Sequence, residues 1–284
     1  MPSNEQRREA AKRKLERQLE NRAQRARKRK QLAIAGSVVG VVVVVAIGAI
    51  AFTVTRGDDA DPATTAAPEA GVMPAGRSEP LPDKVSCTYP PAQTPAAKEV
   101  DPPRTEDIDT NVENVSVSME TTQGNVGLTL DNAQSPCTVN SFLSLAGQGY
   151  FDNTPCHRLV TEGLKLLQCG DPSGSGTGGP GYGFDNEFPT DQYDPSDPAG
   201  QQPVTYPRGT IAMANSGQPG SNGSQFFLVY GDSQLPPQYT SFGTIDETGL
   251  ETLEKVAAGG DDGSIQAGGG KPNLPIDITS VRMD

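Results

Sequence analysis

Apolar and polar positions change their spacing several times along this chain, and each change marks an element. Between Gln31 and Thr55 no charged residue occurs, and the run SVVGVVVVVAIGAIAFTV within it is almost wholly apolar. About 20 such residues cross a hydrocarbon core of about 30 Å, so residues 31–55 read as a membrane span. The run exceeds the about 7–15 apolar residues of a cleaved signal peptide, so a retained anchor is expected. From Val115 the spacing is different. VSVSMETTQGNVGLTL alternates with period two around a Gly-containing turn and predicts a hairpin. SPCTVNSFLSLAGQGYF shifts to helical spacing: Val139, Phe142, Leu143 and Leu145 form an apolar face, Pro136 suits a first turn, and Ser135 stands where a cap belongs. CHRLV, LKLLQCG, TIAMAN, SQFFLVY, TSFGTI and ITSVRMD read as short strands, and GLETLEKVAA as a second helix. Many short strands with two helices predict an antiparallel barrel with helices over its ends.

Between span and hairpin, residues 56–112 show little apolar periodicity and are rich in Pro, Ala, Thr, Asp and Glu. They read as a disordered, extended tether, so the domain proper is expected over 113–284. The composition agrees with one domain. Apolar residues make up 34% of the chain, against about 45–50% in ordinary globular proteins, and 32 glycines and 25 prolines leave much of it to loops.

Charge gives the span a direction. Residues 1–30 carry twelve Arg or Lys and four Glu, while the remainder carries eleven basic and 31 acidic residues. Positive charge is retained on the cytoplasmic side, so the arm 1–30 is expected inside and the domain outside the cytoplasm. The arm reads as a topogenic segment with no partner of its own. An acidic body excludes nucleic acid as the domain's ligand, because phosphates would be repelled.

Cys87, Cys137, Cys156 and Cys169 all follow the span, and an even number in an oxidising space predicts two disulfides, with three connectivities open. The favoured pairing is Cys156–Cys169 with Cys87–Cys137. Cys156 begins the strand CHRLV and Cys169 ends LKLLQC, so an antiparallel hairpin would bring them together. Cys137, in the first turn of the first helix, is within reach of the tether and Cys87. No cysteine spacing fits a zinc site.

Three features carry candidate chemistry. The glycine-rich segment Gly174–Gly181 is no phosphate loop: no Gly-Lys-Ser/Thr follows and Pro180 interrupts it. Its glycines are expected to let another backbone come close. His157, the one histidine, has no Ser or Cys elbow to serve, so a hydrolase is all but excluded and a satisfied structural histidine is expected. Arg158 falls on the opposite face of the same strand, and a lone strand arginine is usually just solvated.

Arg158 is not alone. His157-Arg158, Leu166-Leu167-Gln168-Cys169-Gly170-Asp171, Gly176-Thr177-Gly178-Gly179, Met213-Ala214-Asn215-Ser216-Gly217, Asn222-Gly223-Ser224-Gln225-Phe226-Phe227 and Ser241-Phe242-Gly243 occur in this order. Together they resemble the cyclophilin signature over about residues 113–284, and the layout is similar to the membrane-anchored cyclophilins of actinobacteria. The resemblance implies a mainly β fold, an eight-stranded antiparallel barrel capped by two helices, and peptidyl-prolyl cis-trans isomerase activity with no metal and no cofactor. It implies that Arg158 is the catalytic arginine and Gln168 its support. It also implies that Leu166 and Phe227 wall the proline pocket, that Leu235 lies at its rim, and that Ala214 and Asn215 bond the substrate backbone. The chain departs from the pattern in three places. Tyr239 stands where a histidine is usual. The pocket phenylalanine before Leu166 is replaced by Lys165 or Leu164. No Trp exists for the cyclosporin-binding rim, where Gln234 falls, so weak cyclosporin binding is expected. The implied partners are proline-containing peptides in unfolded or secreted proteins. A binding module that grips proline segments without turning them over is the alternative, and measured turnover separates the two.

Overall fold

The computed structural model describes residues 71–194 and 198–284. The basic arm (1–30), the anchor (31–55) and the first part of the tether (56–70) lie outside the described residues. Among the described residues no helix is long and apolar enough to cross a membrane.

The residues expected to form a tether are, from 71 onward, laid on the domain. Strand β1 (Lys84–Val85) pairs antiparallel with β2 (Ile108–Asp109). Cys87, Tyr89 and Ile108 are buried in the main core, and Cys87 is bonded to Cys137. The Tyr89 hydroxyl donates to the Cys137 carbonyl at 2.7 Å. Three anchors without periodicity give no pattern signal, yet Ile108 alone removes a side chain from water worth about 1.5–3 kcal/mol. Composition alone therefore misassigned residues 71–112.

The hairpin forms as its alternation predicts. β3 (Asn114–Thr121) pairs with β4 (Gly124–Asp131) from Asn114↔Asp131 to Thr121↔Gly124. Val117, Met119, Val126, Leu128 and Leu130 face the core, and Ser116 and Glu120 face solvent. Helix α1 (Pro136–Gly147) buries Val139, Phe142 and Leu145. Its cap differs from expectation. The Ser135 hydroxyl donates instead to the Ser241 carbonyl at 2.9 Å. The free N–H groups of Cys137 and Thr138 are met by the Glu187 carboxylate, at 3.0 and 2.7 Å. A buried carboxylate on two orphan donors at the positive helix end does the work of a cap.

The remaining strands are β5 (Thr154–Pro155), β6 (Arg158–Val160), β7 (Lys165–Cys169), β8 (Val204–Tyr206), β9 (Thr210–Met213), β10 (Phe226–Gly231), β11 (Ser233–Leu235), β12 (Ser241–Ile245) and β13 (Asp277–Met283). Helix α2 (Glu247–Ala258) precedes β13 and is capped by Asp246, which accepts from the Gly249 N–H. Nine strands form one antiparallel sheet in the order β5-β13-β3-β4-β12-β9-β10-β7-β6, and β8 and β11 pair separately. The two edge strands belong to a single run, 154–160, with only Cys156 and His157 between them. The sheet therefore curls until both edges meet the same segment. Nine strands rather than eight are counted because that run is interrupted.

The main core fills the inside of the curl. Phe142 lies 5.1, 5.5 and 5.5 Å, centroid to centroid, from Phe151, Phe226 and Phe242. Leu250, Leu253 and Val256 bring α2 into the same cluster. The disulfide Cys156–Cys169 links a residue between β5 and β6 to the end of β7, and both predicted pairings are present.

Candidate active site

The strand period of two splits β6, β7, β9 and β10 into two faces. Leu159, Leu167, Leu228 and Ile211 point into the main core. The residues between them point out, and register aligns them in rows. Arg158 pairs with Gln168, Gln168 with Phe227, and Phe227 with Ala212. In the next row Val160 pairs with Leu166 and Leu166 with Val229.

The outer face carries a second apolar cluster. Val160, Leu166, Val204, Tyr206, Ala212, Phe227 and Val229 are its buried members, with Leu164, Ala214, Leu235 and Tyr239 packed on it half-exposed. The Tyr239 ring meets Phe227 edge-on at 5.6 Å. Tyr206 lies beneath, and its hydroxyl donates to the Tyr239 carbonyl at 2.7 Å. Burial pushes the Tyr206 hydroxyl far above its ordinary pKa, so it stays a neutral donor. Leu235 is supplied by β11, whose pairing with β8 fixes it at the rim. The ambiguity before Leu166 is resolved: Leu164 packs on the cluster, while Lys165 is exposed.

A polar network borders this cluster. Gln168 Nε2 donates to Gln225 Oε1 at 2.8 Å, and Gln225 Nε2 donates to the Gly176 and Gly178 carbonyls at 3.0 and 2.9 Å. The glycine loop is organised in turn by Asp171, fully buried, which accepts from the N–H groups of Ser173, Gly176 and Gly178. Burial would raise the Asp171 pKa, but the hydrogen bonds from Ser173, Gly176 and Gly178 outweigh it and hold the carboxyl below its ordinary value. The loop glycines do admit another backbone: Ala97 and Ala92 donate to the Gly179 and Gly181 carbonyls at 2.8 and 2.9 Å. Gly181 has φ +83°, and a Cβ there would lie 3.2 Å from Ala96.

Asn215 is committed to its own frame. Its Nδ2 donates to the Gln238 carbonyl at 2.8 Å, and its Oδ1 accepts from the Gly217 N–H at 2.9 Å. The Ala214 N–H is taken by the Gln225 carbonyl at 2.9 Å. His157 differs from the satisfied histidine expected. It is buried, and both ring nitrogens lack a hydrogen-bond partner among the described residues. Burial lowers its pKa against the pull of Asp171, leaving a neutral ring with no nucleophile to activate.

Gln225 was missed as a site residue, although it stands inside the quoted run NGSQFF. Its signal was present in the motif, but only the fold shows that it joins Gln168 to the glycine loop. A separate groove of about 480 Å³ runs between residues 71–75 and Thr129, Thr205 and Ser241, and holds none of the expected site residues.

The model of the family described as cyclophilin type peptidyl-prolyl cis-trans isomerase/CLD matches residues 116–283. The chain belongs to the cyclophilin-type peptidyl-prolyl cis-trans isomerases. It is 54% identical to the probable peptidyl-prolyl cis-trans isomerase B of Mycobacterium leprae, over 100% of both chains. The Mycobacterium tuberculosis protein of the same name is 58% identical, over 70% of this chain and 64% of its own. A Cryptosporidium parvum cyclophilin-type isomerase structure aligns at 31% identity with a TM-score of 0.48, over 60% of this chain and 98% of its own. As a cyclophilin-type isomerase the chain accelerates rotation about the peptide bond preceding proline. Its fold is mainly β, a curled antiparallel sheet with two helices.

Proposed function

We propose that the face bearing Arg158, Gln168, Leu166, Phe227, Leu235 and Tyr239 is the isomerisation site. We further propose that it acts on X-Pro bonds of unfolded or secreted proteins outside the cytoplasm, from a domain anchored by residues 31–55. The observation that carries the site is the row Arg158↔Gln168↔Phe227, which sets a permanent cation beside a buried apolar wall.

A prolyl amide resists rotation because its C–N bond has partial double-bond character, with a barrier of about 18–20 kcal/mol. No bond is broken, so no nucleophile is needed. On twisting, the nitrogen pyramidalises and gains a lone pair. A fixed guanidinium near that nitrogen stabilises the twisted amide more than the planar one, and only such differential binding lowers the barrier. Phe227 and Leu166 hold the proline ring and exclude water, which strengthens the cation's field. Gln168, braced by Gln225, keeps the neighbouring donors in register. The Asn215 side chain is spent on its own loop, so its main chain is left to bond the flanking peptide and hold one side of the bond still.

The location rests on the charge asymmetry across residues 31–55 and on two disulfides, which persist in oxidising compartments. The decisive experiment for the site is turnover of a proline peptide by exchange NMR. Arg158→Ala is expected to lower kcat by about ten- to a thousandfold with the fold intact. Arg158→Lys is also impaired, because a point charge cannot replace the planar fork. Near-normal turnover by Arg158→Ala would remove Arg158 from the mechanism.

A further inference from the structure

The orientation of Arg158 is set from outside its own strand. Its Nε donates to the Gly268 carbonyl at 3.1 Å, and its Nη2 to the Ala267 and Gly268 carbonyls at 3.3 and 3.0 Å. A guanidinium has five N–H donors in a rigid plane. Nε and Nη2 are engaged here, and Nη1 has no partner among the described residues. The loop between α2 and β13 thus grips one side of the fork and leaves the other for a substrate.

That loop is itself fastened to β6. Leu159 and Gly270 exchange backbone hydrogen bonds of 2.8 and 3.0 Å. Thr161 Oγ1 donates to Asp261 Oδ2 at 2.9 Å. The closest approach falls at Gly269, where φ is +75° and a Cβ would lie 2.0 Å from the Leu159 carbonyl oxygen. That atom is backbone, next in sequence to Arg158, and cannot turn aside. Any side chain at position 269 pushes the loop off β6, and the carbonyls of 267 and 268 move with it.

We propose that Gly269 is a positioning residue of this isomerase. By letting the loop close on Leu159 it brings two carbonyls to the inner edge of the Arg158 guanidinium and fixes the direction of the charge. The proposal rests on the reading of Arg158 as the cation that stabilises the twisted amide. It adds that the cation's direction is set by a glycine more than a hundred residues away, which touches no substrate.

The test uses the full chain, steady-state turnover of a proline peptide, and four substitutions, alone and combined with Arg158→Ala. Gly269→Ala is expected to lower kcat by about ten- to a hundredfold, the scale of a misplaced catalytic group, with KM within about twofold. Gly263→Ala is the control: it lies in the same loop at φ +63°, with nothing within 4 Å of its Cβ position, and stays near wild type. In an Arg158→Ala background, adding Gly269→Ala costs nothing further, because the group it orients is gone. The Arg158 Nε–H resonance shifts in Gly269→Ala and holds in Gly263→Ala. If Gly269→Ala does not fold, Thr161→Val carries the test by removing only the Asp261 tie, with a smaller kcat loss that also vanishes without Arg158. The proposal is overturned if folded Gly269→Ala keeps its kcat, or if it loses the same factor with and without Arg158. Full activity of Arg158→Ala is a different result and overturns the reading of Arg158 itself.

Discussion

His157 shows how far one residue's setting can depart from its type. It is the chain's one histidine, and its buried ring nitrogens have no hydrogen-bond partner among the described residues. Burial holds its folded pKa below the unfolded value of about 6.5, so the unfolded chain binds more protons there and stability falls as pH drops below that point. His157→Phe removes this dependence. Denaturant unfolding between about pH 7 and about pH 5.5 should find the stability difference moving in the variant's favour as pH falls. A difference that stays constant would mean that the folded ring protonates as freely as the unfolded one. Asp171 is the opposite case: its lowered pKa contributes stability that is present above about pH 3.9 and lost as pH falls below it. At the rim, Gln234 donates to Thr205 Oγ1 and presents an amide, and the chain has no Trp. Cyclosporin is expected to bind more weakly than to family members with the rim tryptophan, and Gln234→Trp to tighten it. Low-nanomolar inhibition of the unaltered protein would end that idea. The roles proposed for Arg158, Gln168 and Phe227 come from long motifs in fixed order, and the register sets the three in one row. The choice of Leu164 over Lys165, and the link through Gln225, were not legible in the sequence, because both depend on which side chain the fold turns toward the cluster.

At the scale of elements, the hairpin β3–β4 and both helices were legible, since period two and helical spacing bury one face whatever lies opposite. The disulfide pairing was legible in part, because antiparallel pairing of CHRLV with LKLLQC leaves Cys156 near Cys169. What hid was the segment 71–112. Its hold on the domain comes from Tyr89, Ile108, the β1–β2 pair and the Cys87–Cys137 bond, which closes a separation of 50 residues. A crosslink of that length is worth on the order of 4 kcal/mol in the chain-entropy model. Replacing Cys87 and Cys137 together by Ala is therefore expected to cost about 2–4 kcal/mol in denaturant unfolding. It should also speed proteolysis within residues 84–109, while leaving kcat near its original value. An unchanged unfolding midpoint would show that packing alone holds the segment.

For the whole molecule, the proposed topology puts the basic arm and the acidic domain on opposite sides of a membrane, and protease added to spheroplasts is expected to reach the domain side only. Residues 71–112 are expected to resist cleavage, so the smallest stable product retains them. Full protection of the domain, with an outer-face control accessible, would reverse the topology. A product starting near residue 113 would return the segment to a tether. The sequence by itself determined the class of fold, its hairpin and two helices, and the family, because each rests on local spacing or on motifs whose residues stand close together. Only the tertiary structure decided which side chains share a face, what caps α1, why the glycine loop must be glycine, and which carbonyls hold Arg158. The cap of α1 and the carbonyls on Arg158 join residues from 49 to 110 positions apart, and at such separations it is the tertiary fold, rather than any local preference, that brings two atoms within hydrogen-bond reach.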